Sequence, residues 1–108
     1  MPKFLFTASY TKDGIAGILR EGGSSREKAI QTLVDSVGGT VETMYWAFGE
    51  TDFFLITDLP DAIAAGALST KVAVTGIASV KTTQLLSADD VDKIVSRAQS
   101  VDYRPPGA

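Results

Sequence analysis

Few residues of this 108-residue chain could do chemistry, because it contains no Cys and no His. Their absence excludes disulfides, thiolate nucleophiles, the usual general base and the commonest transition-metal ligands. The most suggestive acid is Asp52, which lies near Glu50 in a turn between aromatic runs. A carboxylate near an apolar cleft could act as a general base once desolvation raises its pKa. The alternative is that Asp52 hydrogen-bonds the backbone of its own turn.

Four aromatic residues could line a pocket for a small molecule. They are Tyr10, Tyr45, Trp46 and Phe48, and Tyr45 is the second candidate for a catalytic role. Ligand pockets are predominantly apolar and aromatic with a few polar groups. The competing interpretation is core packing, the commonest use of aromatic side chains in strands.

Two cations complete the candidate ligand-binding set. Lys81 falls within a predicted strand, where a cation should either reach outward or pair with an acid such as Asp52 or Glu42. Arg26 follows Gly22–Ser25, and glycines and hydroxyls before a helix can favour anion binding. Arg26 could add a bidentate contact to a carboxylate or phosphate. The alternative is an ordinary loop and a capped helix, since the spacing is not that of a P-loop.

The central element is a predicted β-hairpin over residues 39–58, with its turn at Gly49–Asp52. Two runs rich in aromatic and β-branched residues flank this turn. Strand alternation places two sets of side chains on opposite faces. The first strand divides into Met44, Trp46 and Phe48 against Val41, Tyr45 and Ala47; the second divides into Phe53 and Leu55 against Phe54 and Ile56.

The rest of the chain supplies two more strands and several helices. Period-two alternation predicts a strand over 3–10, and IASVKTTQLL predicts another over 77–86. Thr11 can cap a short first helix, and Ser24 with Glu27 has the capping-box spacing for a second helical stretch. Further helices are predicted over 61–74 and, after Ser87, up to about residue 98.

This element order predicts an α+β protein with the ferredoxin-like split βαββαβ arrangement, a four-stranded antiparallel sheet and an additional C-terminal helix. Residues 1–98 are predicted to form one domain. Residues 99–108 are predicted to be a loosely held tail.

The predicted helices cover only one face of the sheet. Three or four large apolar side chains remain on the other face, and leaving each exposed forfeits roughly 1.5–3 kcal/mol. We therefore expect a second copy of the chain to cover this face as a two-fold dimer. The alternative is that the C-terminal helix folds back over it.

Charge and hydropathy narrow the range of partners and locations. A net charge of −3 and a pI near 4.7 argue against nucleic acid, which requires a clustered positive surface. No apolar run has the length of a membrane span, and the N-terminal residues do not form a signal peptide. The sequence predicts a cytoplasmic protein with no metal, cofactor or membrane partner.

Three stretches resemble the GYD domain, a family of small bacterial proteins: TASYTKDGIAGILREGGSSREKA, GGTVETMYWAFGETDFFLITDLPD and VKTTQLL. The Gly-Tyr-Asp motif position corresponds to Gly49, Thr51 and Asp52, with Thr51 in place of Tyr. The resemblance implies a ferredoxin-like fold of the dimeric α/β-barrel type.

Two functional hypotheses follow. The favoured one is a homo-oligomeric module that binds a small ligand or serves in assembly. The alternative is an enzyme resembling the cofactor-independent monooxygenases or isomerases that this fold class hosts, acting on a small apolar or aromatic substrate through Asp52 or Tyr45.

Overall fold

A four-stranded antiparallel sheet forms the centre of the computed structural model, which describes residues 1–108. Its strands are β1 (Lys3–Tyr10), β2 (Thr40–Trp46), β3 (Phe53–Asp58) and β4 (Ala78–Leu85). The helices are α1 (Lys12–Glu21), α2 (Gly23–Ser36), α3 (Ala62–Ala73) and α4 (Ala88–Ala98). The strand order β2-β3-β1-β4 inserts one strand into the middle of each βαβ unit. The predicted α+β class and ferredoxin-like order are therefore confirmed.

The alternation of β1 sets the two faces of the sheet. Phe4, Phe6 and Ala8 are buried beneath the helices, beside Leu55 and Phe53 of β3. α2 packs over β2 at one edge of the sheet, and α3 packs over β4 at the other. The core lies between this layer of helices and the two central strands.

The connection from β1 to β2 contains two helices that meet at Gly22. Thr11 caps α1 as predicted, because its side chain accepts a hydrogen bond from the amide of Gly14. Gly22 has φ +79° and serves both as the C-cap of α1 and as the N-cap of α2. The predicted capping box of Ser24 and Glu27 is wrong, since α2 already begins at Gly23 and has no side-chain cap.

Gly14 allows the start of α1 to lie against the loop before β4. A Cβ at this position would overlap the carbonyl oxygen of Ile77, the same oxygen that accepts a hydrogen bond from the amide of Thr11. The backbone around Ile77 cannot move without losing this hydrogen bond. Gly14 is therefore required by close backbone approach.

A Gly14→Ala variant is expected to lower the free energy of unfolding by about 1–3 kcal/mol, as overpacking does. Gly17→Ala is the matched control on the same helix, because a Cβ there reaches only the flexible end of Arg20. The control should gain up to about 1 kcal/mol from helix propensity. Urea denaturation followed by circular dichroism measures both, and equal shifts in the two variants would contradict the packing argument.

A β-bulge in β2 corrects one detail of the predicted hairpin. The pairing with β3 shifts between Val41 and Thr43, so Val41 lies opposite Thr57 and packs against the core. It was predicted to share a face with Tyr45. The extra residue, Glu42, instead meets Lys3 at 2.8 Å from Nζ to Oε1. One added residue moves the side chains that precede it in the strand to the opposite face of the sheet.

The second face of the sheet, which we call the open face, has no helix over it. Register places Leu5 beside Ile56, and Phe54 beside Tyr45, across the three strands β1, β3 and β2. The exposed fraction is 69% for Tyr45 and 38% for Phe54. The β4 side of this face is polar. Its members are Ser79, Lys81 and Thr83 with Thr7 and Ser9 of β1.

α4 does not cover the open face. Ser87 and Asp90 form the predicted capping box, and the hydrogen bond from the Ser87 amide lowers the pKa of Asp90. The helix then projects from the end of β4, with 45–53% of Val91, Ile94 and Val95 exposed. The radius of gyration is 17.4 Å, compared with about 13 Å for a compact chain of this length.

The tail beyond α4 forms no helix or strand. Every residue of 99–108 is exposed. Arg104 Nε donates a hydrogen bond of 2.8 Å to the carbonyl oxygen of Ala108, a contact within the tail itself.

Candidate functional site

A cavity of about 330 Å³ lies between α2, α3 and the helix-covered face of the sheet. It forms where the two helices, seated over opposite edges, leave the central strands between them. Phe6 and Leu55 lie at its floor, Leu33 on the α2 side, and Leu68 and Val72 on the α3 side. Twelve of the 15 lining residues are hydrophobic. We call this space the interhelical cavity.

Tyr10 lies at the end of β1, where it lines the interhelical cavity. Its hydroxyl oxygen accepts a hydrogen bond of 3.1 Å from Trp46 Nε1. Trp46 in turn packs against Phe53, with ring centroids 5.0 Å apart. Burial raises the pKa of Tyr10 above its ordinary value, so its phenol stays protonated at neutral pH. Tyr10 therefore keeps an O–H group that can donate.

Arg26 also lines the interhelical cavity, from the first turns of α2. Its charge acts on Tyr10, since Arg26 opposes the rise in the pKa of that phenol. The nearest acid is Glu21, with 3.5 Å from Arg26 Nη1 to Glu21 Oε2. This is longer than the 2.7–2.9 Å of a charge-assisted hydrogen bond. The guanidinium therefore retains donors for another partner.

Lys71 of α3 and Thr75 are cavity residues that the sequence analysis missed. Lys71 makes no salt bridge within the chain. Thr75 is occupied, because its hydroxyl donates a hydrogen bond of 2.6 Å to the carbonyl oxygen of Val72. The sequence could have indicated Lys71, because it follows Leu68 by three residues and so lies on the same face of the helix.

Asp52 lies immediately before β3, and its carboxylate is hydrogen-bonded within the fold. Its Oδ2 accepts a hydrogen bond of 2.9 Å from the backbone amide of Tyr10. Its own amide donates to the carbonyl oxygen of Ala8, and its own carbonyl accepts from the amide of Ala47. The carboxylate thus joins the hairpin to β1 rather than bonding the backbone of its own turn. It does not line the interhelical cavity.

Removing this carboxylate should destabilise the protein. Asp52→Ala leaves the Tyr10 amide without an acceptor and is expected to lower the free energy of unfolding by about 1–3 kcal/mol. Asp52→Asn keeps an acceptor oxygen and should lose less than half as much. Hydrogen exchange at the Tyr10 amide provides the local measurement, with fast exchange in Asp52→Ala alone. Equal protection in all three proteins would contradict the assigned bond.

Tyr45 and Lys81 lie on the open face, on the opposite side of the sheet from the interhelical cavity. Lys81 pairs neither with Asp52, which accepts a hydrogen bond from the Tyr10 amide, nor with Glu42, which bonds Lys3. It borders a polar depression of about 180 Å³ on the open face. The other lining residues are Thr7, Ser9, Glu50, Thr51 and Ser79. The structure therefore places Tyr10 and Arg26 at the interhelical cavity and Tyr45 and Lys81 on the open face at opposite edge strands, whereas Asp52 lines neither the cavity nor the polar depression.

The GYD domain family model matches residues 4–95, which is most of the chain. The chain belongs to the GYD domain family. In this GYD protein the motif position is the loop between β2 and β3, and the Asp52 hydrogen bond to Tyr10 gives the motif acid a function in the fold. Thr51, at the position of the motif Tyr, borders the polar depression of the open face.

No curated protein and no solved structure significantly matches this GYD chain. The structure has no group of three or more acidic side chains placed to hold a metal ion. None of its four helices has the length and apolar character needed to cross a membrane. The cytoplasmic location stays a prediction.

Proposed function

We propose that this GYD protein binds a small, largely apolar molecule in the interhelical cavity and acts as a homodimer. The observation that carries the binding function is the cavity itself. Its volume of about 330 Å³ is within the range of ligand pockets, at the lower end. Its wall is apolar, with a few polar groups, Tyr10, Arg26 and Lys71, at one side.

Packing energetics support an occupant. The cavity opens to solvent, so water contacts its mostly apolar wall. A bound apolar molecule removes that surface from water and makes dispersion contacts with the lining residues, which include Phe6, Leu68 and Val72. Binding should therefore stabilise the folded protein by mass action.

The homodimer is supported by the open face. Leu5, Tyr45, Phe54 and Ile56 form an apolar group on three adjacent strands, in which Tyr45 and Phe54 are exposed and Leu5 and Ile56 are half-buried. A second copy offers an identical patch, so one two-fold contact covers both. α4 adds a further exposed apolar surface on each chain. Self-association would remove from water apolar surface that folding of the single chain leaves exposed.

The enzyme alternative gains no specific support from these positions. Asp52 is engaged with the Tyr10 amide, and Tyr45 is on the other side of the sheet from the interhelical cavity. General base catalysis requires a proton acceptor beside the substrate, whereas Tyr10, Arg26 and Lys71 at the cavity are all hydrogen-bond donors. Binding requires only the cavity and its polar edge.

Titration with 2-naphthalenemethanol, a neutral aromatic probe, tests the binding function. We expect saturable binding by calorimetry, and NMR shifts at the amides of Leu33, Leu68 and Val72. The amides of Phe54 and Ile56 on the open face serve as the internal reference and should not shift. Absence of binding at millimolar probe, or shifts confined to the open face, would refute the function.

A further inference from the structure

The polar groups of the interhelical cavity that have a free hydrogen-bonding site are all donors. Arg26 and Lys71 are cations, and Tyr10 has an O–H without an acceptor in the chain. The only other polar lining residue, Thr75, is occupied by the backbone of α3. No acidic residue lines the cavity. The cavity lining thus carries two cations, one of them paired with Glu21 outside the lining, in a chain whose net charge is −3.

Arg26 has one acidic partner, Glu21, at 3.5 Å, and the other N–H groups of its fork are free. Lys71 is exposed and has no ion-pair partner. The Arg26 side chain is only 23% exposed. A partly buried guanidinium forms strong, bidentate bonds with a planar anion. These donors therefore match a ligand that carries a negatively charged hydrogen-bond acceptor.

The surroundings favour one negative charge over two. Glu21 contacts Arg26, and Asp13 lies with it along the adjoining depression between α1 and α2. A doubly charged phosphate also loses more hydration than a carboxylate on entering an apolar cavity, because the desolvation cost rises with the square of the charge while the attraction to Arg26 and Lys71 rises only in proportion to it. A carboxylate also matches the guanidinium fork in shape.

We propose that the ligand of the interhelical cavity is an apolar carboxylic acid, bound as its carboxylate by Arg26, with Tyr10 and Lys71 as additional donors. The apolar body lies on the floor between α2 and α3. This ligand class rests on the proposed binding function. Arg26 makes the cavity prefer the carboxylate over a neutral compound of the same shape. The hydrophobic wall contributes affinity for both.

The test compares 2-naphthoate with 2-naphthalenemethanol, which share one ring system and differ in the head group. Calorimetry on the full chain should give at least about 10-fold tighter binding of the acid. Arg26→Gln should reduce that preference to within about 3-fold while the affinity for the alcohol stays unchanged. Lys28→Gln, on the same helix but outside the cavity, should keep the full preference.

Each outcome separates the two proposals. Equal affinities for the two probes in the unmodified protein, or an undiminished preference in Arg26→Gln, would overturn the carboxylate assignment and leave the binding function standing. Binding of neither probe would overturn both. A salt titration adds a second readout, because rising ionic strength should weaken binding of naphthoate only.

Discussion

A Phe54→Glu variant is expected to remain folded as a monomer, with self-association at least about 1,000-fold weaker, or about 4 kcal/mol. In the single chain Phe54 is 38% exposed, so a Glu side chain there can reach water. In a two-fold dimer the same position occurs twice. Each copy loses roughly 1.5–3 kcal/mol of apolar burial, and two carboxylates enter one largely apolar interface. The cation of this face, Lys81, lies two strands away, beyond Thr7. The neighbours Tyr45 and Thr7 provide no compensating charge.

Leu19→Glu is the matched control for this variant. Leu19 lies on α1 with 87% of its surface exposed, away from the open face, and the substitution introduces the same side chain. Sedimentation equilibrium from nanomolar to tens of micromolar should give twice 11.4 kDa for the unmodified protein and the control. The homodimer proposal would be contradicted if the unmodified chain stayed at 11.4 kDa throughout this range. It would also be contradicted if Phe54→Glu dimerised with undiminished affinity.

Local signals in the sequence predicted most of the fold correctly. The alternation of Phe4, Phe6 and Ala8 identified both β1 and its buried face, because a period of two is unambiguous when one set is large and apolar. Caps were equally informative where a side chain met its own helix, as at Thr11 and Ser87. Both signals depend only on residues within one turn or one strand.

The errors arose where distant pairing decides the outcome. Nothing around Glu42 indicates the bulge, which appears only when β2 is aligned with β3 and Lys3 is brought beside it. α2 begins at Gly23 rather than after Ser24, because Gly22 ends one helix and starts the next.

The candidate site was less predictable than the fold. Tyr10 and Arg26 were selected from the sequence and line the same cavity, although 16 positions separate them and no local pattern relates them. Asp52 was selected as a reactive acid. In the structure its carboxylate accepts a hydrogen bond from a backbone amide 42 residues away. Lys71 was missed because its helix reads as an alanine-rich packing surface. Convergence of side chains from different elements is a property of tertiary structure.

The two proposed binding surfaces lie on opposite sides of one sheet. Adjacent residues of β3 divide between them, since Phe53 and Leu55 face the interhelical cavity while Phe54 faces the open side. A substitution on one side should therefore leave the other unchanged. The oligomeric state and ligand affinity can be measured as independent properties of the same variant.

Val72→Trp is expected to abolish ligand binding, with at least a 100-fold loss of affinity for 2-naphthoate, while the protein stays folded and dimeric. Val72 lies on α3 and lines a cavity of about 330 Å³, so an indole ring placed there occupies the space that the ligand requires. Filling a void restores dispersion contacts, and cavity-filling substitutions commonly gain about 0.5–2 kcal/mol of stability. The free energy of unfolding should accordingly stay equal or rise.

Val74→Trp is the matched control for the cavity-filling variant, because Val74 lies at the end of the same helix, is 78% exposed and does not line the cavity. Calorimetry should show normal naphthoate binding by Val74→Trp and none by Val72→Trp, with equal sedimentation of both. Ligand binding should also raise the Tm of the unmodified protein and the control only. Undiminished binding by a folded Val72→Trp protein would place the ligand elsewhere, because the indole is expected to lie against the same wall of the cavity as the naphthyl ring.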